Sequence, residues 1–196
     1  MNRRVKIERK TAETEIYLEL NIDGGGKADL TTGLPFFEHM LSLWCRHGFF
    51  DLTIRAEGDI EVDSHHLVED LGICLGRVWH EALGTKEGVR RYGFSAVPMD
   101  EALVTAVTDL SGRPWLNYQF QMPEGNVGPM DPELFREFWQ AFVNEGKFNL
   151  HLTMNHGHNK HHIIEASFKA AARALNEASS AMEGYEGVLS TKGKLE

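Results

Sequence analysis

Cysteine is nearly missing from this 196-residue chain, which carries only Cys45 and Cys74. Each lies inside an apolar helical pattern, so neither a disulfide framework nor a cysteine-type zinc site is expected, and both read as small core residues. Long apolar runs are missing as well. The start, Met1-Asn2-Arg3-Arg4-Val5-Lys6, passes into alternating residues without the apolar core of a signal peptide. The expectation is a cytoplasmic protein with no membrane partner. Positive charge is in deficit: 20 Lys and Arg stand against 29 Asp and Glu, a formal net charge of −9. Binding a phosphate backbone needs concentrated basic residues, so nucleic acid is excluded as the main partner. A small anionic substrate stays compatible if its basic contacts are local. At 42% hydrophobic content the chain can bury a substantial core, as one domain or as two tightly fused half-domains.

Histidine is what the chain has in excess: there are ten, and most fall in clusters. The pattern His-His-x-x-Glu occurs twice, as His65-His66-Leu67-Val68-Glu69 and as His161-His162-Ile163-Ile164-Glu165, each at the front of a helix-patterned stretch. Successive helix residues project about 100° apart, so adjacent histidines diverge, and the glutamate is expected near both. One turn then offers two imidazoles aimed in different directions, which suits two separate metal ions better than one. The two copies belong to a longer repeat. Aligning His39 with Glu137 (137 − 39 = 98) also matches Gly48 with Gly146, Asp51 with Asn149, Leu52 with Leu150 and Ile54 with Leu152. Removing two residues from the first copy then superposes the paired histidines (161 − 65 = 96). This divides the chain into a first half-repeat over 1–90 and a second over 91–196, fused as one compact unit.

Within each half the periodicity changes in the same order. From Thr14 to Asp23, Ile16, Leu18, Leu20 and Ile22 alternate as in a strand with one buried face, and Asp23-Gly24-Gly25-Gly26 reads as a turn. Pro35 opens a helix through Arg46, with Phe36, Phe37, Met40, Leu41 and Trp44 on its apolar side and Gly48 just beyond its end. Phe50 to Ala56 alternates again, and Asp63-Ser64 supplies caps for the first histidine helix, which is expected to end near Gly84. The stretch from Tyr92 to Gln121 is strand-like, Asp131-Pro132 restarts a helix that ends at Gly146, and Leu150, Leu152 and Met154 mark the matching strand. The second histidine helix runs on through Ala166 to Leu175, and residues 184–196 have the composition of a loop. The order predicts an internally duplicated α/β fold with a helical layer packed between two β-sheets.

Several segments carry a resemblance: Arg9-Lys10-Thr11-Ala12-Glu13-Thr14, Leu34-Pro35-Phe36-Phe37-Glu38-His39-Met40-Leu41, Asp63-Ser64-His65-His66-Leu67-Val68-Glu69-Asp70, Val97-Pro98-Met99-Asp100-Glu101-Ala102-Leu103, Ser111-Gly112-Arg113-Pro114 and Asn159-Lys160-His161-His162-Ile163-Ile164-Glu165-Ala166. Through them nearly the whole chain resembles the imidazoleglycerol-phosphate dehydratases of histidine biosynthesis. The resemblance implies dehydration of imidazole glycerol phosphate to imidazole acetol phosphate, a pair of manganese ions per active site, and active sites between subunits. It also implies a homo-oligomer of trimers in a larger octahedral shell. The departing carbon proton has no adjacent carbonyl, so the developing charge must flow into the imidazole ring, where metal ions at the ring nitrogens would stabilise it. Choosing manganese follows from the resemblance alone, because histidine and glutamate ligands suit iron, cobalt, nickel or zinc equally.

Carried over residue by residue, the resemblance assigns metal binding to His39, His65, His66, Glu69, His161, His162 and Glu165. Glu13 and Glu165 stand as catalytic carboxylates, with Asp100 in the catalytic set as a polar contact near the substrate. Arg91, Arg113, Lys169, Ser190 and Lys192 become substrate and phosphate contacts. One position departs from the family pattern: Glu137 stands where many members have a further metal-binding histidine, and a carboxylate there can bind the same metals with more negative charge. His47, His80, His151, His156 and His158 fall on no matched position and read as structural. Two other readings compete with a lyase, namely a dinuclear metallohydrolase and a shell whose metals only join subunits. No segment is long enough for a fused phosphatase domain, so a bifunctional form is not expected.

Overall fold

The computed structural model describes residues 3–195. The first half builds a sheet from β1 (Arg4–Lys10), β2 (Thr14–Asn21), β3 (Ala28–Thr31) and β4 (Asp51–Gly58), in the order β1-β2-β4-β3. Between these strands and after them run α1 (Pro35–Gly48) and α2 (His65–Leu83). The second half repeats the design with β5 (Tyr92–Met99), β6 (Ala102–Asp109), β7 (Trp115–Gln119) and β8 (Asn149–His156), in the order β5-β6-β8-β7, together with α3 (Glu133–Gly146) and α4 (Lys160–Ser179). In both sheets the first three strands of the spatial order are antiparallel and the last, β3 or β7, pairs in parallel. The repeat read from the sequence is therefore a repeat of topology.

Alternation explains the layers. Ile16, Leu18 and Leu20 of β2 and Leu52 and Ile54 of β4 are buried, as are Val104, Ala106, Leu150 and Leu152 in the second sheet. Their neighbours along each strand face solvent, as the period of two requires. Outside the first sheet stand Glu15, Glu19, Arg55 and Glu57, whereas the second exposes Phe94, Val107 and Trp115 beside His151. Helix α2 lies on β1 and β2, and α4 lies on β5 and β6. Each histidine helix then packs against the shorter helix of the opposite half, α2 on α3 and α1 on α4. This exchange of partners ties the halves into one core. Close approach of α2 to α3 depends on glycine: a Cβ on Gly72 would lie 2.6 Å from the Phe138 carbonyl oxygen, and one on Gly76 would lie 2.8 Å from that of Phe142.

Four details differ from the periodic reading. Strands β1 and β3 were not anticipated; β1 alternates Val5 and Ile7 only partly against the core, and β3 has four residues. Gly48 does not follow α1 but ends it, and the left-handed residue is Phe49 (φ 57), whose N–H closes on Cys45 O. Gly48 is needed for space instead, because a Cβ there would meet the Phe50 ring at 2.2 Å. Gly146 repeats this against Phe148, with Lys147 left-handed. Finally, Ser64 makes no side-chain cap for α2; Asp63 Oδ1 accepts from the His65 N–H at 2.8 Å. The cysteines are core residues, and burial pushes the Cys45 thiol up to about 12 and that of Cys74 up to about 11. No helix among the described residues is long and apolar enough to cross a membrane.

Candidate active site

The first turn of α4 is fixed before its side chains do anything. Asn159 accepts the backbone N–H groups of His161 at 3.0 Å and His162 at 3.4 Å, an N-cap that satisfies two of the orphan donors of the helix. His161 and Glu165 are four residues apart and share a face, with Nε2 3.1 Å from Oε2. From α1, His39 brings its Nε2 to 3.6 Å from the same oxygen. The α1 entry is itself held by Glu38, which accepts from the Thr32 N–H and hydroxyl and the Gly33 N–H. Ligand atoms of His39, His161 and Glu165 lie within 4.8 Å of one another.

Exposure divides the labour among these three. The Glu165 side chain is only 8% exposed, while those of His39 and His161 are 47% and 44% exposed. Burial opposes ionisation of Glu165, but Lys169 one turn on donates to its other oxygen and His161 bonds the first, and the balance holds its carboxyl below the usual range. The edge of the Phe36 ring packs on His161, with centroids 5.2 Å apart. A buried, ionised carboxylate beneath two half-exposed imidazoles is a donor set of two nitrogens and one oxygen. It suits a first-row divalent ion and leaves positions open for other ligands.

The second histidine of each pair goes elsewhere. His161 and His162 rings stand at 82°, and His65 and His66 at 87°, so the expected divergence is present in both copies. The glutamate, however, serves only the first histidine: Glu69 lies 3.8 Å from His65, and neither glutamate hydrogen-bonds the second ring. His162 instead bonds Glu101 through Nδ1 at 2.7 Å, with Asp100 at 3.7 Å from Nε2. His66 Nδ1 faces Asp59 at 3.1 Å and Glu13 at 3.8 Å. Glu101 also accepts the N–H groups of Asn159 and His158, and the His162 bond together with these holds it down to about 2. His162 is raised in turn, chiefly by Glu101, and His66 is raised, chiefly by Asp59.

Asp59 and Glu101 were missed by the sequence reading, although the repeat contained the signal for one of them. Strands β2 and β6 begin 88 positions apart (102 − 14), and the same step carries Glu13 to Glu101. Of the seven metal candidates, one chain therefore gathers His39, His161 and Glu165. It places His65 with Glu69, and it leaves His66 and His162 each against its own carboxylates. Glu137 ion-pairs with Arg136 at 3.3 Å and joins no comparable cluster among the described residues. His151 sits on the solvent face of its strand, while His158 stands 3.7 Å from Glu101.

Four of the five proposed substrate contacts meet in a different place. Arg91, Arg113, Ser190 and Lys192 line a cavity of about 690 Å³ together with Tyr92 and Thr191. Arg91 donates from Nε and Nη2 to Asp109 at 2.7 and 3.1 Å and from Nη1 to Leu189 O at 2.6 Å, which ties the strand start to the tail. Lys169 is not in this wall; its ammonium lies on Glu165.

Comparison with known proteins places this geometry. Residues 32–175 match the imidazoleglycerol-phosphate dehydratase profile. The chain is 56% identical to the imidazoleglycerol-phosphate dehydratase of Geobacter sp. (strain M21) over 195 residues, 100% of both chains, and 55% identical to that of Shouchella clausii with the same coverage. Among solved structures, the Staphylococcus aureus dehydratase superposes with a TM-score of 0.84 at 36% identity, covering 91% of this chain and 99% of that one. The Pyrococcus furiosus protein in complex with (S)-C348 gives 0.83 at 34% identity, covering 96% and 100%. None of these relatives favours a hydrolase. Agreement in sequence along the full length and in the backbone leaves one assignment: the chain belongs to the imidazoleglycerol-phosphate dehydratase family.

Proposed function

We propose that this chain removes water from imidazole glycerol phosphate to give imidazole acetol phosphate, with two manganese ions per active site and catalytic centres shared between copies of the chain. The observation that carries the reading is the convergence of His39, His161 and Glu165 while the other ligand-type histidines point away. His66 and His162 each have Nδ1 engaged by carboxylates, which leaves Nε2 as the atom able to bind a metal. Rings oriented in this way serve a neighbouring copy, and His65 with Glu69 supplies the start of a second centre. This supports a homo-oligomer; its arrangement as trimers within an octahedral shell, and a cytoplasmic location, are what the resemblance implies.

When bound, the ions would supply positive charge at the ring nitrogens, where negative charge develops during loss of the carbon proton. The chain supplies the rest. Arg91, Arg113, Ser190 and Lys192 grip the phosphate, fixing the far end of the substrate so that its ring reaches the metal centre. Glu13, half-exposed beside His66, moves the carbon proton, and Asp100 contacts the substrate hydroxyl. Lys169 keeps Glu165 ionised under the ion, so the ligand set does not depend on the metal for its charge.

The test is product analysis on manganese-loaded protein and on the same protein stripped of metal and checked by elemental analysis. Loaded protein is expected to form the ketone without releasing inorganic phosphate. Full-rate turnover by stripped protein overturns the metal reading; phosphate release without ketone overturns the lyase reading.

A further inference from the structure

One buried charge-bearing group is left unused by the roles above. Lys86 follows α2 in a tight turn, with φ +62, and its residue is 3% exposed. Its Nζ is buried and has no hydrogen-bond partner among the described residues. Lysine is almost never buried unpaired, because removing an ammonium from water is costly unless a field in the protein repays it. The stretch that follows Lys86 is held by later chain: Gly88 N–H donates to Gly187 O in the tail, and Arg90 N–H donates to Ser180 O and Arg91 N–H to Ala178 O at the end of α4. Lys86 therefore opens the hydrogen-bonded stretch that ends at Arg91. The charges acting on its ammonium are Asp109, which favours it, and Arg91, which opposes it, while burial pulls its pKa below the usual lysine value.

Counting charge shows what this arrangement does. Arg91 is held bidentate by Asp109, so that pair alone presents no net charge to an anion. With Lys86 protonated, the three side chains carry one net positive charge.

We propose that Lys86 is a positioning and specificity residue for the phosphate subsite: it offsets Asp109 so that Arg91 faces a phosphate dianion with its charge uncancelled. The inference rests on reading the Arg91–Arg113–Ser190–Lys192 cavity as that subsite. Direct contact with phosphate is not involved, and the effect belongs to binding rather than to the chemical step.

The experiment uses metal-loaded enzyme and inorganic phosphate as a competitive probe. In Lys86→Met, phosphate affinity is expected to fall about tenfold and KM for the phosphorylated substrate to rise by a similar factor, with kcat kept within about twofold and metal content unchanged. Lys86→Arg keeps the charge and is expected to bind phosphate nearly as the parent does. A purely structural role would lower the melting temperature without this split of KM from kcat. Should Lys86→Met not fold, Lys86→Gln carries the same test with a polar side chain of similar reach. Unchanged phosphate affinity in the neutral variant overturns the proposal, as does an arginine variant that binds as weakly as methionine. Arg113→Met separates the two levels: if it loses phosphate and Lys86→Met does not, only the role of Lys86 fails, and if neither loses phosphate the subsite reading fails.

Discussion

The two His-His-x-x-Glu helices start from the same backbone and arrive at different chemistry. On α4, Glu165 is buried, held by Lys169 and joined by His161 and His39. On α2, Glu69 is 47% exposed, and the position that the repeat equates with Lys169 (169 − 96 = 73) is Ile73. The partner helix differs too, since the counterpart of His39 is Glu137, which turns to Arg136. The two halves thus share the scaffold and the diverging histidines but differ in the cation and the third ligand. The α4 cluster brings three ligand-type side chains together within a single chain; on α2 only His65 and Glu69 approach each other.

The sharpest way to break that comparison is to remove one ligand from each centre. His161→Ala should lower the rate of ketone formation by at least about 10²–10³-fold and abolish the ion that a single chain can hold. His65→Ala should also inactivate the enzyme but spare that ion, so elemental analysis of diluted, dissociated protein separates the two. Equal loss of tightly held metal in both variants would mean that the centres do not differ in the way their side chains indicate.

A smaller effect tests the orienting carboxylates. Glu101→Gln leaves every ligand in place but weakens the hold on His162 Nδ1 and on the N–H groups of His158 and Asn159. Metal affinity or activity should fall about 10–100-fold, the range for lost second-layer partners. Asp59→Asn, whose contact to His66 is longer at 3.1 Å, should cost less. The reverse order, read by metal titration, would show that the two halves are not ranked by these contacts.

These contrasts also show what a sequence can reveal. Period-two and helical patterns located β2, β4, β8 and helices α1 to α4 because each buries an apolar face of adequate length, whereas β5, β6 and β7 were read as one strand-like stretch. Strand β3 escaped because four largely exposed residues leave no alternation to read. The α1 end was misplaced by one general habit of glycine: Gly48 is there for the Phe50 ring, and the left-handed position belongs to Phe49. The triad His39, His161 and Glu165 was legible as residue types, but its convergence was not, because it needs α1 to pack on the helix of the opposite half. Asp59 and Glu101 were hidden for a different reason, within one half each: no spacing along one helix brings a strand-end carboxylate to a ring.

A last comparison isolates charge from shape. Asp51 in the first half accepts the N–H groups of Gly25 at 2.8 Å and Lys27 at 2.9 Å; its counterpart Asn149 donates to Arg113 O at 2.6 Å. Burial opposes ionisation of Asp51, but those backbone donors win and its pKa lies below the usual aspartate value. A carboxyl lowered by folding stabilises the native state above the ordinary aspartate range, and that contribution disappears as the pH falls through the folded value. Asp51→Asn should therefore cost about 1–2 kcal/mol at neutral pH, because an amide oxygen accepts more weakly than a carboxylate. Melting curves of the two proteins should draw together in acid. A gap that stays constant from neutral to acid pH would show that the Gly25 and Lys27 N–H groups need an acceptor there but not a charge.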